Sequence, residues 1–363
     1  MADPTDIPDP KRRRFLSATL ATGASVLAGC AVQPQPSTEA ARRSTATPLE
    51  HLIVVHRENH SYDNYFGSFP GGNGTVAGDR GEDDQPNPPH SRAAALRGSC
   101  TTDVGNCHYL EQDIPNYFAY AREYTLCDNY FGEILGPSIP NYFGMMATKT
   151  PVLYNPRHAR GKFDLPNITT QLTAAGVSWK NYDAPHGLPL VALFKDAVAS
   201  GNIVPLDTFQ EDARAGRLPA VSWLTPHIRD SEHPSHGVKR GENWAVRHIN
   251  MVMNSPVWNK CAIIVFWDEW GGFRDHVTPP VIERDGKLPL RLGYRVPCLV
   301  ISPYARRGHI SHTQHSHVSV TATIERTFGA KPLNWRDAGA HDLFDCFDFN
   351  QTPRPPLILT ERA

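Results

Sequence analysis

The sequence lacks an excess of charge of either sign. Its 36 Lys and Arg residues are balanced by 37 Asp and Glu residues, which leaves a formal net charge of −1. No strong field is therefore expected to attract nucleic acid or an anionic membrane surface. The sequence also contains no Cys-x-x-Cys pair, so a structural zinc knuckle built on closely spaced cysteines is not expected.

Long apolar runs and internal repeats are also missing. The apolar stretch near the N-terminus, residues 15–29, is too short to span a bilayer. From His51 onward there is no linker-like break, which favours one domain over residues 49–363. Proline, in contrast, is abundant: the 32 prolines make up roughly 9% of the chain, against a usual ~5%. Long ordered loops are therefore expected, and catalytic groups are often found in such loops.

The N-terminal residues have the pattern of an export signal. The sequence KRRRFL at residues 11–16 leads into the short apolar stretch, and RRRFL resembles a twin-arginine signal. LAGC at residues 27–30 resembles a bacterial lipobox, which would make Cys30 the lipidated first residue of the mature protein. Residues 1–30 are thus interpreted as a signal peptide and residues 31–48 as a flexible tether. We expect an exported protein, in the periplasm or on the cell surface, anchored by lipid. The alternative is a chance basic patch followed by an ordinary buried cysteine.

Six cysteines remain after Cys30, an even number that is compatible with disulfides in an oxidising compartment. Six cysteines allow 15 pairings, among which the sequence alone cannot choose. Cys100 and Cys107 lie in one loop that contains Gly and Asn, so they form the expected local pair.

Short apolar runs alternate with helical patterns along the chain. Strands are predicted at residues 52–55, 177–182, 220–224, 262–267 and 298–301. Helices are predicted at residues 116–124, 168–175, 244–253 and 319–328. This alternation indicates an α/β fold with a mostly parallel central sheet flanked by helices. In such sheets the ligand crevice lies at the carboxyl ends of the strands, where the polar motifs below are placed.

The first polar motif is RENHSYDNYFG at residues 57–67, directly after the first predicted strand. Glu58 and Asn59 supply a carboxylate and an amide carbonyl, and hard divalent cations prefer such oxygen ligands. The alternative is a capped loop exposed to solvent, because most carboxylates near strand ends are simply solvated.

The second motif is GPSIPN at residues 136–141, followed by a helical pattern. Ser138 occupies the expected N-cap position, where free backbone N–H groups could bind a phosphate. A serine hydroxyl is a useful nucleophile only when a metal or a neighbouring base activates it. Ser138 is therefore either a nucleophile or an ordinary helix cap.

The third motif, WDEWGGFRDHV at residues 267–277, is the most specific. Asp268 and Glu269 follow an apolar strand, where adjacent carboxylates are costly unless a cation balances them. The glycine pair allows a tight turn near a bound group. Asp275 and His276 bring further acid and base groups into the same loop. The alternative is a solvated acidic turn.

Histidine is concentrated after the predicted strands. His233 ends the motif DSEH, and His186 follows Tyr182 and Asp183. Histidine serves as a general acid or base near neutral pH and binds phosphate when protonated. We expect these two histidines to be functional, and only some of a further group, which comprises His309, His312, His315 and His317.

Together these motifs resemble the successive signatures of the bacterial phosphoesterase family, which includes phospholipases C and acid phosphatases. The matching segments are ENHSYD at 58–63, GPSIPN at 136–141, DSEHP at 230–234, DEWGGFRDHV at 268–277 and RVP at 295–297. HVS at 317–319, Ile324-Glu325 and WRD at 335–337 extend the match to roughly residues 50–350. The resemblance implies an alkaline-phosphatase-like single domain.

The resemblance also implies the roles of the site residues. Glu58, Asn59, Asp268 and Glu269 would hold a divalent metal ion, which Ser138 would contact as the nucleophile. Asn141 would hold a phosphate oxygen, and His233 and His186 would bind phosphate or protonate the leaving group.

Two departures from the family pattern concern the substrate. His60 stands where the family often has Arg, which would change the charge of the pocket. From its length, the chain is also not expected to carry the C-terminal extension of the larger phospholipases C. Monoester, diester and phospholipid substrates all remain open.

The expected reaction is a two-step hydrolysis of a phosphoric ester through a phosphoseryl intermediate. One alternative is a sulfatase-like or phosphonate-hydrolase-like enzyme on the same fold. Another is an inactive lipoprotein that binds a phosphorylated ligand.

Export through the twin-arginine pathway is tested by conservative changes in the signal. The double variant Arg12→Lys/Arg13→Lys should accumulate as cytoplasmic precursor, because the export machinery reads the arginine pair. Cys30→Ala should be exported without labelling by radioactive palmitate. Normal export of the double-Lys variant, measured by cell fractionation, would refute the twin-arginine interpretation.

Overall fold

The computed structural model describes residues 47–282 and 290–363. The predicted signal peptide and nearly all of the predicted tether lie outside these residues. The strands, numbered along the chain, are β1 (His51–Arg57), β2 (Asp79–Arg80), β3 (Cys107–His108), β4 (Thr125–Cys127), β5 (Tyr130–Phe131), β6 (Trp179–Asp183), β7 (Ile203–Pro205), β8 (Val221–Thr225), β9 (Cys261–Trp267), β10 (Val281–Ile282), β11 (Leu290–Arg291), β12 (Cys298–Ile301), β13 (His309–Ser311) and β14 (His315–Ser316).

The α-helices are short, apart from α8. They are α1 (Tyr62–Phe66), α2 (Arg92–Ala95), α3 (Pro115–Glu123), α4 (Ser138–Ala147), α5 (Ile168–Ala174), α6 (Lys195–Ala199), α7 (Thr208–Arg214), α8 (Val238–Met253), α9 (His317–Phe328) and α10 (Trp335–Gly339). Short 3-10 turns include one at Leu343–Cys346. In the described part of the chain, no helix combines the length and the apolarity needed to cross a bilayer.

Eight strands form the central sheet in the order β13-β4-β12-β9-β1-β8-β6-β7. Strands β9, β1, β8, β6 and β7 pair in parallel. Only β12 runs the other way, antiparallel to both β9 and β4, and β13 pairs in parallel with β4. The prediction of an α/β fold with a mostly parallel sheet is confirmed.

Burial explains why the most apolar of the predicted strands could be found from the sequence. All seven residues of β9 are buried, as are all five residues of β8, because helices and loops cover both faces of the sheet. A strand buried on both faces shows a continuous apolar run rather than alternation. The short edge strands β7 and β13 are only partly buried, and β4 has just three residues, so none of them has such a run.

The sheet brings the first and third motifs together. The register pairs Arg57, at the end of β1, with Trp267, at the end of β9. Because the two strands are parallel, the residues that follow them emerge at the same edge of the sheet.

The cysteine prediction is not supported by the structure, in which all six described cysteines are free thiols. The Cys100 thiol donates to the carbonyl of Thr102 at 3.0 Å. The amide of Asn64 donates to the Cys107 sulfur at 3.5 Å. The two cysteines of the expected local pair thus have separate partners.

A buried arginine holds the loops together behind this edge of the sheet. Arg295, 0% exposed, donates to Asp63 at 2.8 Å and to Asp275 at 3.3 Å. It also donates to the carbonyls of Asn73 and Asp128 at 2.6 and 2.8 Å. A buried guanidinium needs such partners, because desolvation of an unpaired ion is very costly.

Removal of this cation should therefore be costly. Arg295→Met should lower the free energy of unfolding by about 3–5 kcal/mol, because two buried carboxylates lose their counter-charge. Urea denaturation followed by circular dichroism measures the change. The matched control is Arg307→Met: Arg307 is exposed and pairs with Glu123 on the surface, so its loss should change little. Equal effects of the two substitutions would contradict this interpretation.

Candidate active site

The ends of β1 and β9 are joined by a hydrogen bond between two motif residues. The backbone N–H of Asn59 donates to Oδ1 of Asp268 at 2.9 Å. Glu58, Asn59, Asp268 and Glu269 are all at most 1% exposed. The structure thus gathers at one sheet edge two pairs of residues that are about 210 positions apart in the chain.

The turn after β9 depends on a glycine. Gly271 has a φ of +65°, and a Cβ atom there would lie 2.1 Å from the carbonyl oxygen of Asn59. No side chain fits in that space. The N–H of Gly271 donates to Oε2 of Glu269 at 2.8 Å, which orients this carboxylate. The first glycine of the pair therefore allows the close approach of the loops that follow β1 and β9.

Helix α4 places a serine against the first motif. The hydroxyl of Ser138 donates to Oε2 of Glu58 at 3.3 Å, and the hydroxyl of Tyr142 donates to Oε1 of the same carboxylate. Ser138 and Tyr142 are four residues apart, so they lie on one face of the helix. Both oxygens of Glu58 are thus held from α4.

The predicted N-cap role of Ser138 is wrong by one position. The N-cap is Pro137, which makes no side-chain cap hydrogen bond, and the helix begins at Ser138. The hydroxyl is directed to Glu58 instead. The neighbouring N–H of Ile139 is also not free, because it donates to Oδ1 of Asn155 at 2.9 Å.

Burial dominates the electrostatics of the three carboxyl groups. Desolvation raises the pKa of Glu58 to about 8. It also raises the pKa of Asp268 and of Glu269, and the neighbouring carboxylates raise both further. Three ionised carboxylates would repel one another in this dry setting, so they require either protons or a cation.

The unused oxygens of the site are of the chemical type that a hard cation prefers. Within the described residues, Oδ1 of Asn59, Oδ2 of Asp268 and Oε1 of Glu269 are buried and have no hydrogen-bond partner. Buried polar atoms without partners are uncommon in proteins and suggest an ion or water. Carboxylate and amide oxygens are the ligands that hard divalent cations prefer.

A buried glutamate positions the loop that contains His233. Glu232 accepts hydrogen bonds from Arg57, Tyr65, Tyr117 and Trp267. Nδ1 of His233 donates to the carbonyl of Pro234, so Nε2 is the acceptor in the neutral ring. Desolvation lowers the pKa of His233 to about 4, which leaves it neutral at physiological pH and weakens the expectation that it binds phosphate as a cation.

A histidine that the sequence analysis missed joins Asn59 to His233. Nδ1 of His90 donates to the carbonyl of Pro88 at 2.8 Å, so its Nε2 accepts from the amide of Asn59 at 3.3 Å. The His90 ring lies 5.6 Å from that of His233. Because the Asn59 nitrogen is engaged, its Oδ1 remains available. His90 follows two prolines in a long loop, so no strand or motif marked it.

Two further histidines contact residues of the motifs. Nε2 of His317, in the histidine-rich tract, donates to the backbone carbonyl of Asp268 at 2.6 Å. Nε2 of His56, in β1, lies 3.5 Å from Oε1 of Glu58. Burial lowers the pKa of both rings, that of His56 to about 4.

Two predicted site residues have other surroundings. Oδ1 of Asn141 accepts from the N–H groups of Glu133 and Ile134, and its Nδ2 donates to the carbonyls of Gly136 and Pro137. Its amide is thus fully used within the loop before α4, which leaves nothing for a phosphate oxygen. His186 is exposed, and its ring contacts that of His227 at 6.1 Å.

The remaining acid and base groups of the motifs are structural. His60 is buried between Asn64 and Glu232, and burial lowers its pKa to about 4, so it adds no charge to the pocket. His276 pairs with Asp63 at 2.7 Å, in the network around Arg295. The expectation that Asp275 and His276 add acid–base chemistry to the site is therefore not supported.

Proteins with related sequences are described as phosphoesterases or phospholipases C. The family model described as the Phosphoesterase family matches residues 101–331. Phospholipase C A of Mycobacterium tuberculosis is 30% identical over an alignment that covers 95% of this chain and 87% of that protein. Phospholipase C B of the same organism is 29% identical, with 85% of this chain and 79% of that protein covered.

Solved structures align at lower similarity. A protein in the alkaline phosphatase superfamily from Vibrio parahaemolyticus has a TM-score of 0.48 and 13% identity, over 82% of this chain and 71% of that one. The phosphonate monoester hydrolase of Agrobacterium radiobacter has a TM-score of 0.45 and 11% identity, over 84% and 78% of the two chains.

The family model covers more than half of the chain, and the phospholipase C relatives align with most of it. This chain belongs to the Phosphoesterase family, and membership indicates that it hydrolyses phosphoric esters.

Proposed function

We propose that this protein is an exported, metal-dependent hydrolase of phosphoric esters of the phospholipase C type, with Ser138 as its nucleophile. The observation that carries the proposal is the contact of the Ser138 hydroxyl with Glu58 at 3.3 Å. This contact lies at the sheet edge where buried oxygens of Asn59, Asp268 and Glu269 have no partner within the described residues.

The residues that would hold the metal are Glu58, Asn59, Ser138, Asp268 and Glu269. Enzymes of this family are typically metal-dependent. A bound divalent ion would polarise the phosphoryl group and lower the pKa of the serine hydroxyl. Metal binding would also balance the charge of three buried carboxylates that are otherwise stable only as acids.

The protein groups divide the proton transfers between them. Oε2 of Glu58 orients the Ser138 hydroxyl and can accept its proton. Attack by Oγ on phosphorus forms a phosphoseryl group and breaks the bond to the leaving oxygen, which takes a proton from solvent water. A second water then hydrolyses this intermediate, and Oγ of Ser138 recovers its proton from Glu58. The free Nε2 of His233 is the group that we assign to accept the proton from this water.

The substrate class follows from the relatives rather than from the pocket. The aligned relatives from Mycobacterium tuberculosis are named phospholipase C. We therefore assign as substrate a phosphodiester of the phospholipid type. The enzyme would meet this substrate outside the cytoplasm, where a lipid on Cys30 would anchor it.

The first test compares the hydrolysis of p-nitrophenyl phosphorylcholine, p-nitrophenyl phosphate and p-nitrophenyl sulfate, with and without chelator. Turnover of the diester that stops with chelator supports the proposal, whereas preferential turnover of the sulfate contradicts it.

Ser138→Ala should separate a catalytic role from a structural one. The variant loses one weak hydrogen bond, worth about 1 kcal/mol, and should stay folded. Turnover should fall by several orders of magnitude, because the covalent route is removed. A quenched reaction of the native enzyme should trap phosphate on the peptide that contains Ser138, as detected by mass spectrometry.

Ser302→Ala is the matched control. Ser302 is also buried and hydrogen-bonded, but it follows β12, the reversed strand, and so lies at the opposite edge of the sheet. This variant should keep native turnover. If Ser138→Ala retains more than about a tenth of native turnover, an effect of only ~1.4 kcal/mol, then another group is the nucleophile.

The raised pKa of Glu58 predicts how the stability of metal-free protein depends on pH. The pKa is about 8 in the folded protein, against 4.5 for the ordinary group. The folded state therefore binds the extra proton, and the stability this provides is full below pH 4.5 and is lost as pH rises to about 8. The melting temperature of chelator-treated protein should fall across this interval, and a divalent ion should restore it at pH 8.

Glu58→Gln removes this titrating group without a change of shape. Its melting temperature should fall less steeply between pH 5 and pH 8 than that of the native protein, because no proton is released from position 58. Identical pH profiles for the two metal-free proteins would mean that Glu58 is already ionised at neutral pH.

A further inference from the structure

Three sequence-distant residues bring two thiols and an imidazole together, in a region that the proposed reaction does not use. Cys127 ends β4, His315 begins β14, and Cys346 ends the 3-10 turn Leu343–Cys346. The Sγ atoms of Cys127 and Cys346 are 3.7 Å apart. These sulfurs and a ring nitrogen of His315 all lie within 4.8 Å of one another, and each of the three residues is at most 1% exposed.

A third thiol adjoins this cluster. Cys298 is the direct partner of Cys127 in the antiparallel pairing of β12 with β4. Directly opposed residues project from the same face of a sheet, with Cβ atoms about 5 Å apart. Cys298 is fully buried as well. The sheet therefore places a fourth soft donor beside Cys127, one of the three residues of the cluster.

The histidine of the cluster is oriented by a carboxylate. Nε2 of His315 lies 3.2 Å from Oδ1 of Asp345, and the Ser311 hydroxyl donates to the same carboxylate. Nδ1 of His315 is buried without a hydrogen-bond partner in the described part of the chain. A carboxylate that fixes one imidazole nitrogen while the other faces a metal is the usual arrangement around metal-bound histidines.

We propose that Cys127, Cys298, His315 and Cys346 bind one zinc ion, separate from the metal of the active site. Three cysteines and one histidine are a common ligand set of structural zinc. Zinc–sulfur bonds of about 2.3 Å in a tetrahedron put sulfurs about 3.8 Å apart, close to the observed 3.7 Å. Thiolates and imidazole select zinc, whereas the oxygens near Glu58 select hard cations.

This zinc would brace the wall of the active site. It would tie β4, β12 and the turn at Leu343–Cys346 to β14. His317, two residues after His315, donates to the carbonyl of Asp268. Zinc at this position would therefore fix the start of α9, from which Asp268 is supported, without a contact to the substrate.

Cobalt substitution of the full-length protein tests this site by its ligand chemistry. Protein that is stripped of metal and reloaded with Co²⁺ should show the near-ultraviolet sulfur-to-cobalt charge-transfer band of a thiolate site, which oxygen ligands do not give. Elemental analysis of the native protein should find about one zinc per chain. Asp268→Asn should keep the band even where it abolishes hydrolysis, so the result does not depend on the proposed function.

Cysteine variants identify the ligands. Cys346→Ser should lose the band and the zinc. The control Cys261→Ser should keep both the band and the zinc. Cys261 is a buried thiol at the start of β9, whereas Cys298 pairs with Phe266 near the end of that strand. Absence of the band from cobalt-loaded native protein would overturn the proposal, as would a Cys127–Cys346 disulfide found by non-reducing peptide mapping of native protein.

Discussion

The carboxylate of Glu232 is wholly buried and accepts hydrogen bonds from side chains of β1, α1, α3 and β9. Burial of an ion is tolerated only with such complete pairing, and removal of either partner leaves an uncompensated charge. The loop that contains His233 is thus fixed to the two strands that end at Glu58 and Asp268. Because one anion gathers these elements, the relative positions of Glu58, Asp268 and His233 all depend on it.

A second group of buried carboxylates in the same site lacks the hydrogen-bond donors that surround Glu232. Glu58, Asp268 and Glu269 share a dry sheet edge without a comparable set of donors, so burial raises the pKa of each of them. Glu232 has its charge satisfied by the protein itself, whereas the three-carboxylate group is completed only by protons or by a cation. The contrast between a satisfied and an unsatisfied buried anion separates the supporting framework from the reactive part of the site.

The sequence predicted β9 and β12 because continuous apolar runs leave little ambiguity, as at residues 262–267. Strand β6 has the sequence WKNYD and lacks such a run, so its prediction rested on fewer apolar residues. The sequence also placed the polar motifs at one sheet edge, since parallel topology fixes where strand ends meet. The directions of individual side chains could not be predicted from the sequence. Ser138 is the first residue of the helix rather than its cap. The side-chain amide of Asn141 is engaged in hydrogen bonds within its own loop. His90 is brought in by a long loop, for which neither periodicity nor spacing gives a distance.

The hydrogen bonds that Ser138 and Tyr142 donate to the two oxygens of Glu58 restrict how such an enzyme can diversify. Both hydroxyls belong to one helix, whereas Glu58 follows β1, so a tilt or shift of α4 against the sheet would change both contacts with the carboxylate at once. Sequence changes that move α4 are therefore expected to be poorly tolerated. Loops that leave this helix in place are freer to change in length and in residue type, by natural variation or by laboratory evolution.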